Sequence, residues 1–151
     1  MKSPVRPKPV EGRLRQAQPE RIFEFPIRVY WEDTDAGGIV YYANYLKFFE
    51  RARTEWLRSL GLEQHRLREA TGGIFVVGET SVRFHRAARL DDELLVTAGV
   101  EQLGRASLVI AQQAFCTGAL LSEGTIRIGW VEAALLKPAR IPPTILEALK
   151  R

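Results

Sequence analysis

The chain has 151 residues, of which 46% are hydrophobic and 26% charged, and this is the composition of an ordinary globular domain with a single core. No apolar run approaches the roughly 20 residues of a membrane-spanning helix, and the single cysteine, Cys116, excludes an internal disulfide. The net charge of +4 falls mostly on the first twenty residues and not on a predicted folded face. We therefore expect a cytoplasmic protein with no nucleic-acid partner.

Residues 1–20 are predicted to form a disordered basic arm. The segment contains four prolines, and its few apolar side chains follow no period, so it cannot bury enough surface to offset the entropy of ordering it. Residues 21–151 form the predicted folded domain. A weak electrostatic contact between the arm and a membrane surface or an acidic partner is the functional alternative.

The first predicted elements are a strand and a long helix. Phe25 to Trp31 is rich in aromatic and β-branched residues and predicts a strand. After an acidic and glycine-containing stretch, residues 45–60 place their apolar side chains at spacings of three and four, which predicts an amphipathic helix. Asn44 stands at the position of an N-cap, and Gly61 at the position that ends a helix.

The remainder predicts mainly strands. A short helix over 62–70 is followed by strands over 75–84, 93–101, 107–115 and 120–131 and by a terminal helix from Pro142 to Lys150. Short turns join the last three strands, so we expect antiparallel pairing. The predicted fold class is α+β, with a five-stranded antiparallel sheet wrapped around the long helix. Because one helix leaves strand edges open, we expect at least a dimer.

Residues 30–55 carry the candidate chemistry. The carboxylates Glu32, Asp33 and Asp35 follow the first strand, and two glycines then lead into the start of the long helix. A carboxylate acts as a nucleophile or activates water, and the free N–H groups at a helix start stabilise an oxyanion. Such a site for acyl transfer needs neither a metal nor a cofactor. The alternative is that the aspartates only cap a turn.

Residues 33–45, DTDAGGIVYYANY, resemble the signature of the 4-hydroxybenzoyl-CoA thioesterase superfamily of hotdog proteins. With residues 50–55 and 88–92 included, the sequence is most similar to the Tol-Pal system-associated acyl-CoA thioesterases. The resemblance covers about residues 25–150. It implies a hotdog fold, a homodimer or homotetramer, an acyl-CoA substrate, and active sites at the subunit interface.

The resemblance also implies roles for particular residues. Asp35 corresponds to the family's catalytic carboxylate, which attacks the thioester carbonyl or positions the attacking water. The backbone N–H of Tyr42 corresponds to the donor to the thioester oxygen, Asp33 to a turn residue, and Arg105 to a position in the CoA-binding turn. The Tol-Pal branch usually has His at position 42 and Tyr at position 31, where this chain has Tyr42 and Trp31. A phenol with a pKa near 10 does not replace imidazole as a base at neutral pH.

Other candidate residues carry weaker signals. His65 and His85 are distant in sequence and have no cysteine cluster beside them, so we expect surface roles rather than a metal site. Cys116 is expected to be a small buried side chain at a strand end.

The leading hypothesis is therefore an acyl-CoA thioesterase. The first alternative is a non-catalytic acyl-thioester-binding or adaptor hotdog protein that contacts acyl carrier protein or a membrane-associated complex. The second is a hotdog dehydratase, although the histidine expected for that chemistry is absent from residues 33–45.

Overall fold

The computed structural model describes residues 22–151, so the predicted arm over 1–20 lies outside the described residues. The elements in chain order are β1 Phe23–Arg28, α1 Asn44–Ser59, α2 Gln64–Thr71, β2 Gly73–Phe84, β3 Glu93–Leu103, β4 Ser107–Cys116, β5 Ala119–Glu132, β6 Lys137–Pro138 and α3 Pro143–Leu149. A 3-10 turn over Trp31–Asp33 lies between β1 and α1.

The strands form one antiparallel sheet in the order β1-β3-β4-β5-β2. The two-residue β6 pairs with the end of β5. Four of the five long strands follow one another in sequence after the helix, as predicted, and β1 joins the edge beside β3. The α+β sheet wrapped around a long helix is therefore confirmed.

The central helix α1 packs against β1, β3 and β4. Its buried side chains are the predicted apolar stripe, namely Tyr45, Phe48, Phe49, Ala52, Trp56 and Leu57. They meet alternate residues of the strands, which include Leu94, Val96 and Ala98 in β3. The spacing of three and four in the helix and of two in the strands produces two core clusters that helix and sheet share, one around Phe48 and one around Trp56.

Two local predictions at the ends of elements are wrong. The first strand ends at Arg28 and not at Trp31, because the carboxylate of Asp33 accepts the Tyr30 N–H at 2.8 Å and folds residues 31–33 into the 3-10 turn. Asn44 is the first residue of α1 and not its N-cap, because its amide Nδ2 donates to the Asp33 carbonyl at 2.8 Å.

The strand β2 lies at one edge of the sheet. Within the described residues, no other strand pairs with its outer edge, and residues 77–81 are exposed. A long open edge of this kind is a surface on which a second copy adds a strand.

Candidate active site

The loop between β1 and α1 is fixed at Asp33, which is 4% exposed. Its carbonyl oxygen accepts hydrogen bonds from the Tyr41 N–H at 3.0 Å and from the side chain of Asn44 at 2.8 Å. Its carboxylate is bonded to the N–H of Tyr30. These contacts tie both ends of the loop together, so Asp33 is a structural residue of the helix entry.

Asp35 lies in the exposed tight turn of the same loop. Its N–H donates to the Ile39 carbonyl at 2.9 Å, and its carbonyl accepts the Gly38 N–H at 3.0 Å. One carboxylate oxygen, Oδ1, accepts the Gly37 N–H at 2.8 Å. The other, Oδ2, makes no hydrogen bond within residues 22–151. The turn thus orients the carboxylate through one oxygen and leaves the second available.

Two glycines make this turn possible. Gly38 has a φ of +80°, which L side chains rarely adopt. A Cβ on Gly37 would lie 3.1 Å from Asp35 Oδ1, so a larger residue would press on the oxygen that braces the turn.

The peptide between Tyr41 and Tyr42 presents a free donor at the helix start. The Tyr41 carbonyl accepts the Asn44 N–H at 2.8 Å and therefore points into the helix. Because a trans peptide is planar, the N–H of Tyr42 points in the opposite direction, away from the helix. Among the described residues no acceptor takes the N–H of Tyr42 or of Ala43. These two groups carry the partial positive charge of the helix N-terminus.

A segment after β2 holds the loop against α1. The Val40 N–H donates to the Ala88 carbonyl at 2.8 Å, and Ile39 forms a bridge with Arg89. The hydroxyl of Tyr45, in the first turn of α1, accepts the Ala88 N–H at 3.0 Å. Burial raises the pKa of Tyr45, which keeps this hydroxyl protonated.

Aromatic rings surround the free donor. The rings of Tyr41 and Tyr42 have centroids 4.9 Å apart, and Phe84 meets Tyr42 edge-on at 5.7 Å. Tyr42 and Phe84 remain 59% and 47% exposed. The donor therefore lies beside an open apolar surface, which is suited to an acyl group. Phe84 was not predicted as a site residue, because a strand pattern does not show which ring meets the helix start.

Arg105 is not close to Asp35 within one chain. It follows β3, whereas the Asp35 loop lies where β3 begins, and the 11 residues of β3 span roughly 35 Å. Arg105 and Arg140 line a groove of about 510 Å³ together with residues 141–143 and Leu146. Neither arginine forms an ion pair with any carboxylate of the described part of the chain.

Within the described residues, neither histidine nor the cysteine makes a hydrogen bond to the Asp35 turn. Nε2 of His85 is 2.9 Å from Oε2 of the buried Glu123, and the sequence pattern does not predict this pair. His65 is exposed on α2. Cys116 is half-buried at the end of β4, and burial raises the pKa of its thiol. The described residues contain no cluster of His, Cys, Asp and Glu that could hold a metal ion.

The sequence profile of the thioesterase-like superfamily matches residues 29–149. The chain belongs to this superfamily. The chain is 42% identical to the acyl-CoA thioesterase YbgC of Haemophilus influenzae over 83% of this chain and 93% of that protein. It is 39% identical to the acyl-CoA thioester hydrolase YbgC of Escherichia coli O6:H1 over 86% of this chain and 97% of that protein. The resemblance seen in residues 33–45 is confirmed.

A solved structure has the same fold. The crystal structure of a probable thioesterase from Bartonella henselae matches with a TM-score of 0.75 and 32% identity, over 80% of this chain and 99% of that one. The hotdog fold expected from the sequence is thereby confirmed. No helix within residues 22–151 is long and apolar enough to span a membrane.

Proposed function

We propose that this protein hydrolyses acyl-CoA thioesters to CoA and a carboxylic acid. The observation that carries the proposal is the placement of the Asp35 turn and the Tyr42 N–H, which has no acceptor in the described part of the chain, in one loop that Asp33 fixes at both ends. Thioester hydrolysis requires a nucleophile or base on one side of the carbonyl and a donor to its oxygen. The relatives named as acyl-CoA thioesterases support the same substrate class.

Asp35 supplies the carboxylate by one of two routes. In the first, its free oxygen attacks the thioester carbon, the C–S bond breaks to release the CoA thiolate, and water then cleaves the resulting anhydride. In the second, Asp35 takes a proton from a water molecule that attacks the same carbon. In both routes the negative oxygen of the tetrahedral intermediate accepts the Tyr42 N–H. Label in Asp35 after a single turnover in ¹⁸O-labelled water would establish the first route, because only attack of water on the aspartyl carbon of the anhydride places it there.

The variant Asp35→Asn tests the assignment. Asparagine keeps an oxygen that accepts the Gly37 N–H, so the turn is preserved while the basic and nucleophilic oxygen is lost. We expect kcat to fall by roughly 10²–10⁴-fold in a thiol-release assay across short, long and aromatic acyl-CoAs. Glu32→Gln, an exposed carboxylate in the same loop, is the matched control. Full turnover by Asp35→Asn would exclude this residue as the catalytic carboxylate.

We infer that the working unit is a homodimer or homotetramer built through the open edge of β2. Antiparallel pairing of two β2 strands places the Gly73 end of one copy beside the Phe84 end of the other. The end of the sheet that bears Arg105 in one subunit then lies at the end that bears Asp35 in the other. Sedimentation of the purified chain tests this assembly, and a monomer with full activity would contradict it.

In that assembly, Arg105 binds a phosphate of CoA from across the interface. The groove that it lines with Arg140 supports this role, because two guanidinium groups without an ion pair among residues 22–151 favour a phosphorylated ligand. Arg105→Ala should raise KM for an acyl-CoA but not for the corresponding acyl-pantetheine, which lacks the nucleotide. Arg68→Ala, which removes an exposed arginine of α2, is the control. An equal effect on both substrates would reject the assignment.

A non-catalytic acyl-thioester-binding protein is the second candidate. It is favoured by the phenol at position 42, since tyrosine supplies no base at neutral pH, and by the brace that Asp35 makes to Gly37. Its partner would be acyl carrier protein or a membrane-associated complex. Binding of acyl thioesters without hydrolysis of any member of the panel would support it. Both candidates fit a cytoplasmic location, with one unpaired thiol in the sequence.

A further inference from the structure

Phe84 joins the edge strand to the start of the central helix. It is the last residue of β2, and its backbone pairs with Ser122 of β5. Its ring lies 5.7 Å from the ring of Tyr42 and 5.7 Å from the ring of Tyr45, measured between centroids. Phe84 thus contacts both the residue that bears the free N–H and the residue that anchors the first helical turn.

The two neighbours of Phe84 differ in how firmly they are held. Tyr45 is 2% exposed, and its hydroxyl is bonded to the N–H of Ala88. Tyr42 is 59% exposed and its N–H is unbonded within the described residues. The other ring contact of Tyr42 is with Tyr41, its neighbour in the same turn and itself 47% exposed. Phe84 is therefore the contact that connects the Tyr42 side chain to the sheet.

The direction of the Tyr42 N–H is set by the ψ angle of Tyr41 and the φ angle of Tyr42, which flank their shared peptide. The Tyr42 N–H lies in the same peptide as the Tyr41 carbonyl, which accepts the Asn44 N–H at 2.8 Å, and the Tyr42 carbonyl in the next peptide accepts the Tyr45 N–H at 3.2 Å. A ring fixed against the sheet limits the rotation of the shared peptide. An oxyanion donor must be aimed before the reaction, since its reorientation during the reaction would cancel its stabilising effect.

We propose that Phe84 is a positioning residue that aims the Tyr42 N–H at the thioester oxygen. The inference rests on the proposed thioesterase function and assigns Phe84 no reacting atom. Since the donor acts on the transition state more than on the bound substrate, its misalignment lowers kcat and leaves KM nearly unchanged.

Phe84→Leu tests this by removing the ring while keeping an apolar side chain, and Phe84→Tyr restores the ring. We expect kcat of Phe84→Leu to fall roughly tenfold or more, as part of the 10²–10³-fold effect of losing a whole donor. KM should change less than about twofold, and Phe84→Tyr should recover most of kcat. Leu135→Ala, which truncates a side chain that is 63% exposed, is the control.

A second measurement does not depend on turnover. In ¹⁵N–¹H spectra, the three-bond coupling between the amide proton and Hα of Tyr42, which reports its φ and not the loss of a nearby ring, should change in Phe84→Leu, whereas that of Phe84→Tyr should resemble the parent. Absence of activity in the parent would reject the thioesterase proposal while this readout still decides the role of Phe84. Unchanged kcat with an unchanged Tyr42 coupling would overturn the inference, as would a raised KM at constant kcat. If Phe84→Leu does not fold, Phe84→Met replaces it in both measurements.

Discussion

The hydroxyl of Tyr45 accepts a hydrogen bond from the backbone N–H of Ala88 at 3.0 Å, and both residues are buried. This bond fastens the segment after β2 to the first turn of α1. The same segment supplies the Ala88 carbonyl that holds Val40 at 2.8 Å. The loop that presents Asp35 is therefore supported by a residue that lies outside it.

We expect Tyr45→Phe to lower the free energy of unfolding by about 1–3 kcal/mol, because the variant leaves the Ala88 N–H buried without a partner. Urea denaturation of parent and variant measures this difference. Tyr30→Phe, at a side chain that is 62% exposed, should change stability by less than about 0.5 kcal/mol. Equal effects of the two substitutions would show that the bond to Ala88 contributes nothing specific.

The role of Tyr45 illustrates what the sequence predicts well and what it does not. Periodicity predicted its burial, because a stripe at spacings of three and four must face the core. Periodicity does not indicate where a buried hydroxyl finds its partner, and Ala88 lies 43 positions away. The same limit applies to Asn44, whose side chain was expected to cap the helix and instead bonds to the Asp33 carbonyl.

The candidate site, too, could be predicted from the sequence only in part. The motif over residues 33–45 predicted the family and the position of Asp35 at a helix entry. The bond from the Gly37 N–H to Asp35 Oδ1 is a local turn contact of the kind that the alternative interpretation of the aspartates gave. The contact of Phe84 with Tyr42 was not predicted. It depends on how the chain closes in three dimensions, and local spacing carries no information on it.

The thiol of Cys116 provides a test of pH dependence. Burial raises its pKa, and the charge of Asp92 raises it further. The folded state therefore favours the protonated thiol. Its contribution to stability is complete below the ordinary thiol pKa and is lost as the pH rises through the raised value.

Native Cys116 should accordingly react slowly with iodoacetamide at pH 8 and much faster in 8 M urea, since the thiolate is the nucleophile. The fall in unfolding free energy between pH 7 and pH 10 should be smaller in Cys116→Ala than in the parent, because only the parent loses the thiol contribution. Rapid alkylation of the folded protein at pH 8 would contradict the raised pKa.

Ser122 and Thr97 carry buried hydroxyl groups whose removal should have opposite effects on the free energy of unfolding. Within residues 22–151 the Oγ of Ser122 has no hydrogen-bond partner, whereas Thr97 Oγ1 accepts the Gln113 N–H at 3.0 Å. Ser122→Ala should leave stability unchanged or raise it by about 1 kcal/mol, and Thr97→Val should lower it by about 1–3 kcal/mol. Thermal unfolding distinguishes them. A clear loss in Ser122→Ala would indicate that a buried water or another group satisfies the hydroxyl.

Two glycines on the paired strands β2 and β5 allow the edge strand itself to be tested. A Cβ on Gly124 would lie 2.5 Å from the backbone oxygen of Ser81, whereas a Cβ on Gly78 would find its nearest atom, the Arg127 oxygen, at 3.9 Å. Since the clash at Gly124 is with backbone, the two strands must separate there. We expect Gly124→Ala to cost about 1–3 kcal/mol or more and Gly78→Ala less than about 0.5 kcal/mol.

The same pair connects the fold to assembly and activity. If self-association proceeds through the β2 edge, Gly124→Ala should also weaken the oligomer in sedimentation and lower thioester hydrolysis, because Phe84 ends that strand beside Tyr42. Gly78→Ala should keep the stability of the parent. Its added Cβ lies on the exposed edge, so it would weaken association only where the partner strand passes close to it. A Gly124→Ala protein that is stable and fully associated would contradict this prediction. It would show that β5 and β2 shift to accommodate the added methyl group where Gly124 pairs with Val82.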